Sequence, residues 1–243
     1  MTMPDDARSA LVFGARNLGK AIIETLRGAG WNAAGVARSD STLEGVTALG
    51  ALAIRGDVTD PGSVTRALEQ AAAANGPPDL VVNAASAYGG ARSGPFGGGP
   101  LAEAAPDAFD AWALAPPLAA FSFLSATSRF LVGQGGPATI VQVTGGSSRR
   151  AIPGRGLWAA GAFGVRALTQ AAALELREQG IHVALLIIDA GIEPLSGTRG
   201  GADPAALADP YAIARAVRFL GEQGSRAATH ELQVTPLGER WVP

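Results

Sequence analysis

The chain has 243 residues, of which 47% are hydrophobic and 16% charged, and its formal net charge at pH 7 is -2. It contains no cysteine and two histidines, which excludes disulfides, thiolate catalysis and cysteine-ligated metals and argues against a histidine metal cluster. A pI near 5.7 gives no electrostatic reason to expect nucleic acid or an anionic membrane as a partner. The first residues are too polar for a signal peptide, and no apolar run approaches the ~18 residues of a membrane span, so we expect a soluble, cytoplasmic protein without a metal.

The first predicted element is a strand that ends at a glycine turn and leads into a helix. The apolar run 11–13 stops at Gly14, and from Leu18 onward apolar residues recur at helical spacing. In that geometry the N–H groups at the start of the helix face out of the strand's end, ready for a phosphate. Arg16 stands at the second glycine of the pattern G-x-G-x-x-G, where the backbone would approach a pyrophosphate closely. Its side chain could contact the phosphate or instead fill the phosphate site and abolish binding.

Strands and helices alternate along the rest of the chain. Further strands are predicted at 31–37, 51–55, 79–83, 138–143, 181–188 and about 231–235, and helices at about 61–74, 106–131, 157–179 and 204–220. Two loops, 87–100 and 189–203, are also predicted, the first as a mobile border of an active site. The pattern favours one α/β domain, a Rossmann-like doubly wound parallel sheet flanked by helices on both faces. Its ligand site is expected at the carboxyl edge of the strands.

A series of short segments resembles the classical short-chain dehydrogenase/reductase family in order and spacing, over essentially the whole chain. The segments are GARNLGKAI, GDVTD, VVNAAS, ATIVQVTGGSS, GVRALTQAAALEL, IIDAGIEP, PYAIARAVRFL and THELQVTP. Each is modest alone, and their joint order carries the resemblance. The glycine turn is one residue shorter than is usual in the family and lacks a further glycine.

The resemblance implies a dinucleotide cofactor. Four segments of the chain would bind it. Gly14, Arg16, Asn17, Leu18 and Gly19 would lie at the pyrophosphate, and Asp57 and Val58 at the adenine. Asn83, Ala84 and Ala85 would lie at the adenosine ribose, and Gly191 and Ile192 at the nicotinamide carboxamide.

Arg38 bears on the choice between the two nicotinamide cofactors. It ends the second strand, where an acid would select NAD by bonding the ribose 2′-OH, and an arginine there suits a 2′-phosphate. We therefore predict NADP(H) ahead of NAD(H), with Arg16 as a second cation for the phosphate. The alternative is that Arg38 is a solvated loop cation.

The catalytic half of the chain departs from the family. The family uses an Asn, a Ser, a Tyr and a Lys, and the matching positions here hold Pro116, Gly145, Trp158 and Ala162. A Trp N–H donates a hydrogen bond but has no usable acidity, and Gly and Ala supply no functional group. Carbonyl reduction by the family mechanism is therefore not expected.

Other residues near the expected site could take over part of the chemistry. Thr144 and Ser147 could bind a substrate oxygen, although local hydrogen bonds that cap a glycine turn explain them as well. Tyr88 could be an acid or a lid aromatic, and Asp189 could be a general acid or base or a loop carboxylate in water. An apolar wall for a small apolar ligand could be formed by Trp158, Phe121 and Phe163, which core packing explains equally well.

Three functions stay open from the sequence. The first is an NADP(H)-dependent oxidoreductase in which another group replaces the lost acid. The second is a non-redox lyase, isomerase or cyclase, and the third is a pseudoenzyme that binds a ligand or pairs with an active relative in a hetero-oligomer. A homodimer or homotetramer is predicted through the helices near 116–131 and 157–179, with small residues such as Gly164 allowing close helix approach.

Overall fold

The computed structural model describes residues 7–86, 94–197 and 204–239. These residues form a seven-stranded sheet in which every neighbouring pair is parallel and the strand order is β3-β2-β1-β4-β5-β6-β9. A separate short parallel pair, β7 and β8, follows the sixth strand. The strands are β1 (Ser9–Phe13), β2 (Asn32–Ala37), β3 (Leu52–Arg55), β4 (Leu80–Asn83), β5 (Ala138–Gly145), β6 (Ile181–Ile188), β7 (Gly191–Ile192), β8 (Leu207–Ala208) and β9 (Glu231–Val234).

Helices cover both faces of this sheet. They are α1 (Leu18–Gly28), α2 (Asp40–Ala48), α3 (Pro61–Asn75), α4 (Pro106–Phe109), α5 (Ala115–Gln134), α6 (Gly156–Glu175) and α7 (Pro210–Gly221). Short 3₁₀ turns lie at Phe96–Gly98, Gly146–Ser148, Arg177–Gln179 and Pro204–Ala206. None of the helices in the described ranges has the length and apolarity needed to cross a membrane.

The core forms two layers because successive side chains of each strand point to opposite faces. On one face Val12 of β1 belongs to a cluster with residues of α1, α2 and α7. On the other face Leu11 and Phe13 belong to a cluster with residues of α3, α5 and α6. The Phe13 ring meets the edge of the Phe123 ring from α5, with centroids 5.5 Å apart. The predicted doubly wound, Rossmann-like parallel sheet is thereby confirmed.

Three helix predictions are corrected. No helix is predicted between the second and third strands, yet α2 lies there, with Val46 as its one buried residue and therefore a weak apolar pattern. The helix predicted at 204–220 begins only at Pro210, because the Asp209 side chain accepts a hydrogen bond from the Tyr211 N–H and caps it there. The helix predicted at 157–179 ends at Glu175, and a 3₁₀ turn completes the segment.

Pro116 and Pro117 divide the helix predicted at 106–131. Because a proline has no N–H, the Trp112 carbonyl, four residues before Pro116, loses its usual helical donor. The chain forms a π-helical turn at Asp110–Leu114, and α5 starts directly after it. A Cβ atom on Gly161 of α6 would overlap the Trp112 carbonyl oxygen, so the close packing of α6 on this turn requires glycine.

His182, at the start of β6, couples the fold to pH. Its Nε2 lies 2.9 Å from the Thr229 carbonyl oxygen, and its ring centroid lies 5.8 Å from that of His230. Burial lowers the pKa of His182; the Thr229 carbonyl opposes this shift and the His230 charge adds to it. Because the unfolded chain then binds the proton more tightly than the folded chain, the folded state loses stability as the pH falls below ~6.5, the ordinary histidine pKa.

We predict that the free energy of unfolding falls between pH 7.5 and pH 5 and that His182→Gln removes part of this fall. Urea unfolding at a series of pH values measures it. His230→Gln is the matched control and should keep most of the dependence, since burial is the largest cause of the shift. An unchanged pH dependence in His182→Gln would contradict the assignment.

Candidate active site

A cavity of about 1390 Å³ opens at the carboxyl edge of the sheet. It spans the ends of β1 and β4, where the strand order reverses and where open α/β sheets bind their ligands. Its volume exceeds the roughly 300–1,000 Å³ of an ordinary small-ligand pocket. The cavity therefore has room for more than one small molecule.

Most of the residues predicted for the cofactor line this cavity. They are Gly14, Arg16, Asn17, Leu18, Arg38, Asp57, Val58, Asn83, Ala84, Ala85, Gly191 and Ile192. Gly19 is buried behind the turn, where a Cβ atom would overlap the Gly14 carbonyl. Of the candidate catalytic residues, Thr144, Ser147 and Asp189 line the cavity, and Tyr88 lies outside the described residues.

The glycine turn is fixed by close backbone contacts. Gly14 has φ +82°, and a Cβ atom there would lie 2.5 Å from the Ala85 Cα, so only glycine fits. The N–H groups of Gly14 and Ala15 both donate to the Val36 carbonyl at 3.1 and 3.2 Å. The next two N–H groups, those of residues 16 and 17, have no backbone acceptor among the described residues. They are therefore available to an anion in the cavity.

Asn17 clamps this turn to the segment that follows β7. Its Nδ2 donates to the Glu193 carbonyl at 2.9 Å, and its Oδ1 accepts from the Leu195 N–H at 2.8 Å. The side chain of Asn17 is thus engaged with protein, and its backbone is the part that can contact a phosphate. The clamp also fixes the distance between the glycine turn and the strand pair β7–β8.

Arg38 and Asp57 form an ion pair at the end of β2. Their Nη1 and Oδ2 atoms are 3.5 Å apart, and 76% of the Arg38 side chain is exposed. Burial would raise the pKa of the Asp57 carboxyl, but two hydrogen bonds from Thr59 and the Arg38 charge outweigh it and hold that pKa below its usual range. An exposed pair of this kind stabilises the fold little, and the guanidinium keeps donors for a further anion.

Asn83 links the ends of β4 and β5. It is buried, and its Nδ2 donates to Gln142 Oε1 at 3.0 Å. Its Oδ1 accepts from the Ala85 N–H at 3.1 Å, which shapes the turn that faces Gly14. The Asn83 side chain therefore positions the backbone of Ala84 and Ala85 on the cavity wall.

The four residues that the family resemblance places at the catalytic positions lie at the other end of the cavity. Pro116, Gly145, Trp158 and Ala162 all line it. A Cβ atom on Gly145 would lie 3.7 Å from Cζ2 of Trp158, so the positions matched to the Ser and the Tyr face each other. The hydroxyl-bearing Thr144 belongs to the same strand end.

Asp189 is buried and forms an ion pair with the half-buried Arg150. Its Oδ2 accepts from Arg150 Nη1 at 2.6 Å and its Oδ1 from Arg150 Nη2 at 3.1 Å, and Gln233 donates a third bond to Oδ2. A Cβ atom on Gly146 would overlap this carboxylate. Asp189 is therefore neither a loop carboxylate in water nor an unpaired base. The sequence gives no signal for Arg150 beyond its place after β5.

The apolar wall differs from the predicted one. Phe121 and Phe163 are 54% and 44% exposed and do not line the cavity. Trp158 instead packs with Phe96 and Trp112, and their ring centroids are 4.9 to 5.9 Å apart. The pattern around Phe96, a glycine-rich stretch, predicts only a loop, so this ring was not expected from the sequence.

In residues 7–86, 94–197 and 204–239 there is no group of three or more His, Asp or Glu side chains that could hold a metal ion.

The family profile described as short chain dehydrogenase matches residues 8–191. The chain belongs to this family. Solved structures agree on the fold: an alcohol dehydrogenase from the archaeon Thermococcus sibiricus, complexed with 5-hydroxy-NADP, is 23% identical with a TM-score of 0.78, and the match covers 98% of this chain and 100% of that one. A variant of actinorhodin polyketide ketoreductase with NADPH is 22% identical with a TM-score of 0.79, covering 97% and 98%. The comparison with curated proteins gives no match.

A metagenomic short-chain oxidoreductase in complex with NADP is also similar. It is 23% identical with a TM-score of 0.71, and the match covers 96% of this chain and 98% of that one. This member of the short-chain dehydrogenase family thus aligns over nearly all of its length with proteins whose structures contain NADP or a related nucleotide. At 22% to 23% identity, the similarity establishes the fold alone.

Proposed function

We propose that this short-chain dehydrogenase binds NADP(H) across the cavity. The observation that carries the proposal is that one cavity joins the Gly14 turn, the Arg38–Asp57 pair and the Asn83 end of β4 with the Gly145–Trp158 end. The adenine would lie near Asp57, the pyrophosphate on the N–H groups after Gly14, and the nicotinamide toward Gly145. When bound, the nicotinamide supplies hydride chemistry.

Arg38 supports the choice of the phosphorylated cofactor. Its guanidinium is exposed at the cavity wall and shares only one weak contact with Asp57. Its backbone is held in place because Arg55 Nη1 donates to the Arg38 carbonyl at 2.6 Å, while Arg55 also pairs with Asp40. A 2′-phosphate can then take the donors that Asp57 leaves open.

We predict that the wild-type protein binds NADPH about tenfold to a hundredfold more tightly than NADH, which is the expected effect of a charge-assisted arginine–phosphate contact. Arg38→Gln should remove most of this difference by weakening NADPH alone. Isothermal titration calorimetry with both nucleotides measures it. Arg66→Gln is the matched control, because Arg66 is an exposed arginine in an ion pair with Asp60 outside the cavity. Equal affinities in the wild type would show that Arg38 is only a surface cation.

We also propose that the chain does not use the family's acid–base mechanism. The facing of Gly145 and Trp158 supports the matching of these positions to the missing Ser and Tyr. The hydroxyls of Thr144 and Ser147 can hold a substrate oxygen but do not supply a proton near neutral pH. At the Lys position, Ala162 has no group to hold the nicotinamide ribose.

We predict that NADPH oxidation with ketones, diketones and quinones stays below ~1 per second, under ordinary turnover numbers, because the missing acid normally contributes ~10²–10⁴-fold. The triple variant Gly145→Ser, Trp158→Tyr, Ala162→Lys should gain weak activity at best, since Pro116 still occupies the Asn position. The change in NADPH absorbance at saturating nucleotide is the readout. Faster turnover by the wild type would mean that another group serves as the acid.

We propose that the chain forms a homo-oligomer through the outer faces of α5, the π-helical turn before it and α6. A helical stripe of large apolar side chains is exposed there, 44% to 63% each: Leu114, Leu118 and Phe121, with Phe163 and Leu174 on α6. A second copy would cover this stripe in a symmetric contact. Gly164, expected at the contact, is half-buried, and a Cβ atom there would lie 3.0 Å from Pro117 Cβ of the same chain.

We predict that Phe121→Asp combined with Phe163→Asp releases monomers, because each charge appears twice in a symmetric interface. Sedimentation velocity at micromolar concentration measures the mass. Phe219→Asp on α7, which replaces a phenylalanine that is 53% exposed, is the control and should leave the assembly intact. A wild-type protein that sediments as a monomer would rule the proposal out.

A further inference from the structure

The cavity end next to Gly145 presents an aromatic surface to a ligand. Phe96 and Trp158 both line the cavity, and Phe96 is 50% exposed. Trp112 is buried behind them and meets both rings edge-on, at centroid distances of 4.9 and 5.9 Å. Ile152 and Pro116 continue the apolar wall. Exposed aromatic faces inside a cavity favour a flat apolar ligand, because such faces gain both buried area and ring contacts.

A cation stands at the edge of this aromatic surface. The Cζ atom of Arg155 lies 5.4 Å from the Phe96 ring centroid, within range of a cation–π interaction. Gly97 keeps the loop against it, since a Cβ atom on Gly97, at φ +84°, would lie 3.0 Å from the Arg155 Cα. A guanidinium that rests on a ring keeps its N–H donors in its own plane, where they can meet an anion.

Arg155 differs in its charge partners from Arg38 and Arg150, which also line the cavity. Arg38 and Arg150 each have a carboxylate partner, at 3.5 and 2.6 Å. For Arg155 the described residues supply no carboxylate within 4.0 Å. The charge of Arg155 is therefore available to a ligand that lies on the Phe96 and Trp158 rings.

We propose that the substrate class of this site is an aromatic carboxylate, with its ring on Phe96 and Trp158 and its carboxylate paired with Arg155. The inference rests on the proposed function in assigning this end of the cavity to the substrate. The carboxylate matches the planar fork of the guanidinium, and the charge pair determines which flat ligands are accepted.

The test uses 2-naphthoate and its uncharged counterpart 2-naphthalenemethanol as probes, with calorimetry in the presence and absence of saturating NADPH. The wild type should bind 2-naphthoate at least about tenfold more tightly than the alcohol, as a charge-assisted contact requires. Arg155→Gln should abolish this preference without weakening the alcohol, and Arg155→Lys should keep part of it. Phe96→Leu should weaken both probes severalfold, because it removes the ring contact and leaves the charge.

Arg177→Gln is the matched control, since Arg177 is exposed in the turn after α6 and lies outside the cavity. Far-UV circular dichroism confirms that each variant is folded. The proposal is overturned by equal affinities of the two probes for the wild type, by no measurable 2-naphthoate binding at millimolar concentration, or by an equal loss in Arg177→Gln. If the protein prefers 2-naphthoate through Arg155 but does not bind NADPH, only the cofactor proposal is ruled out. If it binds NADPH tightly but shows no such preference, only the proposal of an aromatic carboxylate is ruled out.

Discussion

The contact between Gly14 and the backbone of Ala85 is the constraint on which the site depends. β1 and β4 are neighbours in the sheet, and their following turns must pass each other at the carboxyl edge. A side chain at Gly14 would separate these turns, because its Cβ would lie 2.5 Å from the Ala85 Cα. Asn83 fixes the Ala85 side of the contact, and the Val36 carbonyl fixes the Gly14 side. Three strands are thus locked together where the cofactor is proposed to bind.

A second set of close contacts determines the shape of the catalytic end. Pro116, in the first turn of α5, has no N–H to donate to the Trp112 carbonyl, and glycine at position 161 lets α6 approach that turn. The approach places Trp158 of α6 against Trp112 and Phe96. Pro116 and Trp158, the residues matched to the family's Asn and Tyr, therefore belong to one packing arrangement. An isolated substitution at either position would disturb the packing at the other.

The strands, and the residues that follow them at the carboxyl edge, could be predicted from the sequence because their signals are local. A strand followed by Gly14, or by Asp57, places that residue at the carboxyl edge of a parallel sheet whatever the rest of the chain does. Helix α2 was missed because it buries only Val46, and the start of α7 was placed too early because two prolines, at 204 and 210, each look like a helix start. Local signals are thus weak for a helix with a single buried residue and ambiguous where two prolines could each start the same helix.

The aromatic end of the cavity could not be predicted because its contacts join distant parts of the chain. Phe96 and Arg155 are 59 residues apart, and their pairing depends on how the glycine-rich loop lies against the start of α6. Phe121 and Phe163 were expected in an apolar wall of the site, but both are exposed outside the cavity. Helical spacing alone does not say whether an aromatic residue faces the cavity or the solvent. Composition predicts Gly164 at a subunit contact but does not show that it also packs on Pro117 of the same chain.

Four arginines line the cavity, and two of them are paired with carboxylates. Asp57 and Asp189 each hold an arginine in an ion pair, one at the end of β2 and the other beneath the catalytic positions. The two further arginines that line the cavity, Arg16 on the glycine turn and Arg155 at the start of α6, have no carboxylate within 4.0 Å among the described residues. Two separate unpaired cations in one cavity favour two anionic groups, and a dinucleotide phosphate and a substrate carboxylate would satisfy one each. A neutral ketone would leave the exposed Arg155 to solvent, so the proposed preference for a carboxylate comes from the charge-assisted contact that only an anion can make.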